Sequence, residues 1–189
     1  MDALLVIDVD GHDGWSSDMS LLSDERKKVA CAIRQELARW RESGGLIAFV
    51  VLSYDSAAQT EQNSNKCLVC DLPPQRRLAG FLEHRHGTQF EPVFIKGCQD
   101  AFTNSALAEF LRQKKVSRLF LAGCNTFLCV LDTAKGAIER GFSVSLLENC
   151  VYPGFLGSAE KSKWRREVMA GHVLSHYLRP WRRARACIV

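Results

Sequence analysis

Residues 118–130 read RLFLAGCNTFLCV and carry the strongest architectural signal of the chain. The opening part of this stretch, residues 118–122, is an apolar run typical of a buried strand, and residues 127–140 have the pattern of a helix. Cys129 would then lie in the first turn of that helix, where unpaired N–H groups and the positive end of the helix dipole favour a thiolate. The stretch therefore predicts a strand, a turn at Gly123 and a helix that presents one cysteine.

The same alternation of apolar runs and helical patterns continues along the whole chain. The predicted strands are residues 3–9, 46–52, 92–95, 118–122 and 142–147, and residues 184–189 could add a sixth. The predicted helices are residues 24–42, 105–114, 127–140 and 159–178. Continuous apolar runs separated by helices indicate a parallel sheet covered on both faces. We therefore predict a single α/β domain over residues 1–189, with a three-layer α/β/α, Rossmann-like architecture and a mostly parallel sheet of five or six strands.

Composition is that of an ordinary soluble domain, with 189 residues, 47% hydrophobic, 24% charged and a net charge of +4. Basic residues crowd the C-terminal end, where a solvated face is a better account than a nucleic-acid site. No apolar stretch reaches the ~20 residues that span a bilayer, and we expect neither a signal peptide nor a membrane partner. Four cysteines adjoin apolar runs and are expected to be buried free thiols, which indicates a cytoplasmic setting. They are Cys31, Cys98, Cys124 and Cys150.

Polar residues end two of the predicted strands. Asp8 ends the first strand and Lys96 ends the third. Parallel strands bring their carboxyl ends to one edge of the sheet, where ligands bind. Taken singly, Asp8 could cap a loop, Lys96 could be a surface charge and Cys129 could be a small buried hydrophobe. Taken together, a base, a cation and a nucleophile at one edge indicate a hydrolase.

Six short segments connect this pattern to a known family. They are Leu5-Val6-Ile7-Asp8, Ile95-Lys96, Asp100-Ala101-Phe102, residues 123–130, Thr133-Ala134 and Gly141-Phe142-Ser143-Val144. In this order and at this spacing the chain resembles the isochorismatase-like cysteine hydrolases, from residue 3 to about residue 178.

The resemblance implies a role for each residue of the triad. Cys129 would attack a carbon centre and form a covalent thio-intermediate, and Asp8 would take the thiol proton and later activate water. Lys96 would keep Asp8 ionised and stabilise negative charge. Backbone N–H groups of Cys129 and Asn125 would bind the oxyanion, and the Cys124–Asn125 peptide bond is expected to be cis. We expect no cofactor.

The chain departs from the family pattern at three places. Asp10 stands where members usually have glutamine, and it could raise the pKa of Asp8, bind a cationic group or face solvent. Asp100 stands where serine is usual. The metal motif of related nicotinamidases would fall on Asp55-Ser56-Ala57, which lacks its histidine. That absence argues against a nicotinamidase with its usual metal ion.

Aromatic and sulfur-bearing residues offer further candidates. Trp15, Phe102 and Tyr152 could line the substrate pocket, although core packing explains them equally well. Cys67 and Cys70 form a lone CxxC, and a structural zinc could use them together with His84 and His86. The alternative is a loop in the lid region with two thiols, and we therefore predict no metal.

The combined prediction is a cysteine hydrolase that cleaves a small-molecule amide C–N bond. The resemblance also implies a homo-oligomer, a dimer or a tetramer. One alternative is a non-catalytic binding protein that reuses the fold, and another is an isochorismate-type vinyl ether hydrolase. Dinucleotide binding has little support, because Gly11 and Gly14 do not form a GxGxxG pattern.

Overall fold

The structure is a computed structural model that describes residues 1–10, 15, 18–53, 91–154 and 186–188, the last three as backbone only. Its strands and helices follow in chain order. They are β1 (Asp2–Ile7), α1 (Asp24–Glu42), β2 (Leu46–Leu52), β3 (Val93–Lys96), α2 (Ser105–Gln113), β4 (Arg118–Cys124), α3 (Leu131–Glu139), β5 (Ser143–Tyr152) and β6 (Ala186–Ile188). Short 3-10 turns cover Met19–Leu21 and Ala101–Thr103, and a π-helical turn covers Thr126–Val130.

The six strands form one sheet in the order β3-β2-β1-β4-β5-β6, and every pairing is parallel. The central strand, β1, pairs with β2 on one side and β4 on the other, so Val6 lies opposite both Phe49 and Ala122. This is the predicted Rossmann-like α/β architecture, which is confirmed.

Alternate residues of β1 contribute to two separate cores. Leu4 and Val6 pack against α1, whereas Leu5 and Ile7 pack against α2 and α3. Since residues at adjacent positions of a strand point to opposite faces, the continuous apolar run of β1 is what allows helices to cover both sides. The three layers follow directly from that run.

Local sequence signals set the bounds of α1, which agree with the prediction. The Ser23 hydroxyl accepts a hydrogen bond from the N–H of Arg26 and caps the start. Gly44 adopts φ +68 just after the end. In the last turn of α1, Arg41 forms a two-point ion pair with Glu91, with both N···O distances 2.8 Å. This pair ties α1 to the residues that precede β3.

β1 ends at Ile7 instead of residue 9, and β4 continues to Cys124 instead of ending at residue 122. Two larger differences have identifiable reasons. The helix predicted from residue 127 begins as a π turn, because the Asn125 carbonyl accepts from the N–H groups of both Leu128 and Val130. The fifth strand continues to Tyr152 instead of ending at Leu147. The register of β4 and β5 shifts between Leu121 and Gly123, so the polar segment 148–149 falls at an irregularity and the strand resumes beyond it.

The buried-thiol prediction is half wrong. Cys124 and Cys150 are buried, but Cys31 and Cys98 are exposed. The buried residues of α1 are Val29, Ala30, Ile33 and Leu37, so Cys31 falls outside the apolar stripe of its helix. Cys98 follows β3 in a loop. Within the described ranges, no helix combines the length and apolar character that crossing a bilayer would require.

Gly123 generates the first testable prediction. Its φ is +121, and an added Cβ would lie 1.9 Å from the Ile7 carbonyl oxygen. We expect Gly123→Ala to lower the free energy of unfolding by more than about 3 kcal/mol, because backbone of the central strand would have to move. Urea denaturation followed by circular dichroism measures the change.

The matched control is Gly141→Ala, which also has positive φ (+86) but has no atom within 4 Å of the added Cβ. We expect it to cost about 1 kcal/mol, from backbone conformation alone. Equal stabilities for the two variants would contradict the prediction.

Candidate active site

A buried ion pair lies at the carboxyl edge of the sheet. Lys96 is fully buried, and its Nζ lies 2.9 Å from Oδ2 of Asp8, which is 2% exposed. Lys96 is the last residue of β3, and β2 separates β3 from β1, so its long side chain has to cross the end of β2 to reach Asp8. Lys96 Nζ also donates to the Gln99 carbonyl at 3.1 Å.

Asp8 follows β1 in an uncommon backbone conformation. Its φ is +50, in the left-handed region that few residues other than glycine, asparagine and aspartate adopt. Its N–H donates to the Val50 carbonyl at 2.8 Å, so the adjacent strand fixes the turn. Residues held in such conformations cluster at functional sites.

Cys129 completes the cluster from the turn after β4. Its thiol lies beside the Asp8 carboxylate and the Lys96 ammonium group, close enough for both to shift its pKa, and the residue is 7% exposed. The structure therefore brings together the three residues that sequence analysis selected, each from a different element.

Burial is the largest single influence on the pKa of each of the three groups in this cluster. It raises the pKa of Asp8, although the charge of Lys96 opposes the shift. Burial also lowers the pKa of Lys96, but attraction to Asp8 and Cys129 outweighs it and the net shift is upward. Burial, together with the charge of Asp8, raises the pKa of Cys129 to about 11, and Lys96 only partly opposes it.

The expectation that Cys129 favours the thiolate is therefore wrong. The positive end of a helix lowers a thiol pKa only modestly when the sulfur is taken out of water beside a carboxylate. With a pKa of about 11, Cys129 carries its proton near neutral pH. A nucleophilic role then requires a base to remove that proton, and Asp8 is in contact with it.

Asn125 organises the turn that carries Cys129. Its side-chain oxygen accepts from the Phe127 N–H, its carbonyl accepts from Leu128 and Val130, and the Cys124–Asn125 peptide bond is cis. Three donors at the start of the turn thus converge on one residue.

Gly154 leaves the space that the Asn125 side chain fills. An added Cβ on Gly154 would lie 1.9 Å from Nδ2 of Asn125. Packing from the end of β5 therefore fixes the amide that caps the turn.

Cys124 and Cys129 lie in different cores. Cys124 packs in the core on the α1 side of the sheet, whereas Cys129 packs in the core shared with α2 and α3. This arrangement places Cys124 on the other face of the sheet from Cys129, whose thiol lies beside Asp8 and Lys96.

The other predicted pocket residues fall in three places. Asp10 is fully buried, and its charge contributes to the raised pKa of Asp8. Trp15 packs edge-on against Tyr152, with ring centroids 5.8 Å apart, and the Arg26 guanidinium lies over both rings. Tyr152 lies opposite Cys124 in the β4–β5 register, so this aromatic pair adjoins the end of β4.

Phe102 lies in the core. It is 3% exposed and stacks on Phe142 with centroids 5.8 Å apart, and Arg140 lies over its ring. These contacts fit the core-packing alternative that the sequence left open.

Sequence reasoning missed two groups near the triad. The Gln99 carbonyl holds Lys96, and a backbone group leaves no sequence signal. Thr126 is buried, and its hydroxyl has no hydrogen-bond partner within the described ranges, as is also true of the Trp15 indole N–H. The position of Thr126 between Asn125 and Cys129 was the available signal.

Among the described residues, no group of three or more His, Cys, Asp or Glu side chains could hold a metal ion. The candidate zinc ligands Cys67, Cys70, His84 and His86 lie outside those residues, as do the metal-motif position 55–57 and the basic segment 165–185.

Solved structures of similar fold include three enzymes. The pyrazinamidase/nicotinamidase of Streptococcus mutans has a TM-score of 0.66 and 21% identity, covering 99% of this chain and 100% of that one. The N-carbamoylsarcosine amidase of Thermoplasma acidophilum has a TM-score of 0.65 and 18% identity, and the match covers 99% of this chain and 94% of that one. An isochorismatase of Pseudomonas putida has a TM-score of 0.65 and 20% identity, and the match covers 100% of this chain and 87% of that one. At these identities the likeness concerns the fold.

Sequence comparison gives one curated relative and one family. The maleamate amidohydrolase of Pseudomonas putida is 32% identical over 81 residues, which are 43% of this chain and only 38% of that relative. The family model described as Isochorismatase domain matches residues 2–176, nearly the whole chain, and confirms the resemblance predicted from the sequence. The chain belongs to the isochorismatase family of hydrolases.

Proposed function

We propose that this protein is a cysteine amidohydrolase that cleaves the C–N bond of a small-molecule amide through a thioester on Cys129. The observation that carries the proposal is one buried cluster, in which Asp8 and Lys96 form a 2.9 Å ion pair and the Cys129 thiol lies close enough for both charges to shift its pKa. A nucleophile within reach of a base that a third group orients is the arrangement that covalent catalysis needs.

In the first half-reaction the sulfur attacks the amide carbon while the thiol proton moves to Asp8. A thiol with a pKa of about 11 is a weak acid, so this proton moves as the C–S bond forms. The Lys96 ammonium group stabilises the negative charge that develops. The tetrahedral intermediate then expels the amine, which takes the proton from Asp8 and leaves an acyl group on Cys129.

In the second half-reaction water replaces the amine. Asp8 accepts a proton from the water as its oxygen attacks the thioester carbon, and the C–S bond breaks to release a carboxylic acid. The proton on Asp8 returns to the sulfur. We assign the oxyanion site to the backbone N–H groups of Cys129 and Asn125, which the Asn125-centred turn holds in place.

The amide class rests on the relatives' names. A maleamate amidohydrolase and an N-carbamoylsarcosine amidase both act on small amides. The proposed mechanism requires only an amide carbon that the sulfur can attack and an amine that can leave. The vinyl ether alternative has no specific observation in its favour. The single domain over residues 1–189, the homo-oligomer and the cytoplasmic setting stay predictions.

One observation also suits the non-catalytic alternative. A buried thiol with a pKa of about 11 is unreactive at neutral pH in the absence of substrate. This low reactivity is expected both of a binding protein and of an enzyme whose substrate activates the thiol. Only a substrate-dependent reaction of Cys129 separates an enzyme from a binding protein.

The first test of the proposed function uses intact-mass spectrometry with a panel of small primary amides. We expect a substrate-dependent acyl adduct on Cys129 and hydrolysis of the same amide, because both belong to one pathway. Cys129→Ala should lose both, with hydrolysis lower by at least about 10³-fold. The matched control is Cys31→Ser, at an exposed cysteine, which should retain both. Full hydrolysis by Cys129→Ala would refute the proposal.

The second test separates the charge of Asp8 from its role as a base. The carboxylate raises the pKa of Cys129, so Asp8→Asn should lower that pKa and speed alkylation by iodoacetamide at pH 8. The same variant should lose amide hydrolysis, because no group accepts the thiol proton during attack. Alkylation rates between pH 6 and 11 measure the first effect, and product formation measures the second.

Lys96→Met should change the pKa of Cys129 in the direction opposite to Asp8→Asn. Lys96 lowers the pKa of Cys129, so its removal should raise that pKa further and slow alkylation. If Asp8→Asn and Lys96→Met shifted the alkylation profile in the same direction, the electrostatic account of the triad would be wrong.

A further inference from the structure

We propose that Thr133 is a positioning residue that keeps the Lys96 ammonium group beside the Cys129 thiol. The inference rests on the proposed function, in which these two side chains act together. It concerns the short loop of residues 97–100, which joins β3 to the 3-10 turn at Ala101–Thr103.

The loop holds Lys96 through one carbonyl group. Lys96 Nζ donates to the Gln99 carbonyl at 3.1 Å and forms a 2.9 Å ion pair with Asp8. Because Lys96 is fully buried, each acceptor replaces a water molecule that its ammonium group has lost. The position of Gln99 therefore helps to set the position of the ammonium group.

Thr133 fixes the far end of the same loop. Its hydroxyl accepts a hydrogen bond from the Ala101 N–H at 3.0 Å, and both residues are fully buried. Thr133 lies four residues after Cys129, about one helical turn further along the same segment. One hydrogen bond thus connects the segment that carries the nucleophile to the loop that orients the cation.

A second contact joins the same two parts. The Asp100 carboxylate accepts from the Phe102 N–H at 2.9 Å and lies against Gly136 of α3. A Cβ at Gly136 would be 2.5 Å from both Asp100 oxygens, so the glycine permits this approach. α3 therefore contacts the loop at two points, Thr133 and Gly136.

Loss of the Thr133 hydroxyl should act on the triad through Lys96. Asp8 and Lys96 are the charged groups that contact Cys129, and they shift its pKa in opposite directions. If the loop moves and Lys96 withdraws, the effect of Asp8 dominates and the thiol holds its proton more tightly. The turnover rate should fall while substrate binding, which Lys96 does not carry in the proposed mechanism, stays nearly unchanged.

The experiment compares Thr133→Val with Thr133→Ser in the full chain. Valine has the shape of threonine without the hydroxyl, whereas serine keeps it. We expect Thr133→Val to shift the midpoint of Cys129 alkylation to higher pH and to lower kcat at least about tenfold with KM unchanged. Thr133→Ser should remain close to the wild type in both measurements.

Ile33→Val is the control for a general loss of stability, since it removes one methylene from the core on the other face of the sheet.

Asp100→Ala is a second variant of the loop, at a half-buried position, and it replaces Thr133→Val as the test if that variant does not fold. It should shift the alkylation midpoint in the same direction. An alkylation midpoint in Thr133→Val or Asp100→Ala equal to that of Ile33→Val would overturn the inference.

The alkylation readout needs no substrate, so it tests the role of Thr133 separately from the proposed function. Full amide hydrolysis by Cys129→Ala would refute the amidohydrolase and leave the alkylation comparison intact. Loss of hydrolysis in Cys129→Ala with an unshifted midpoint in Thr133→Val would refute only the positioning role.

Discussion

The buried pair of Asp8 and Lys96 is the interaction on which the site depends. Two opposite charges removed from water are stable only when their geometry is close and their remaining hydrogen-bonding capacity is satisfied. Here Lys96 has the 2.9 Å ion pair with Asp8 and a hydrogen bond to the Gln99 carbonyl, whereas neither Asp8 carboxylate oxygen accepts a hydrogen bond within the described residues, so the ion pair is the main compensation for burying that charge. Neither residue can be removed alone without leaving a buried, unpaired charge.

The same burial explains how a cysteine can be both protected and reactive. A thiol with a raised pKa resists oxidation and unspecific alkylation, because the thiolate is the reactive form. In the proposed reaction, the substrate changes this balance only at the moment of attack, when Asp8 takes the proton and Lys96 meets the new charge. The reactivity of Cys129 then depends on correct positioning of the substrate, and without substrate the thiol reacts slowly.

Much of this arrangement could be predicted from the sequence, because the decisive signals are local. Apolar runs gave the strands, the Ser23 cap and Gly44 gave the limits of α1, and the topology of a parallel sheet brought Asp8 and Lys96 to one edge. The rest depends on contacts between distant residues. The Gln99 carbonyl is a backbone group, and the raised pKa of Cys129 comes from a burial that no run of residues encodes.

The position of Lys96 has a consequence for how the protein would lose activity on heating. β3 has only four residues and pairs, within the described part of the chain, with β2 alone. The ammonium group therefore belongs to an outer strand, and the Arg41–Glu91 ion pair holds the start of that strand to α1. Outer strands open before central ones. Fraying of β3 would withdraw the cation while the helices and the four inner strands stay folded, so inactivation would precede melting.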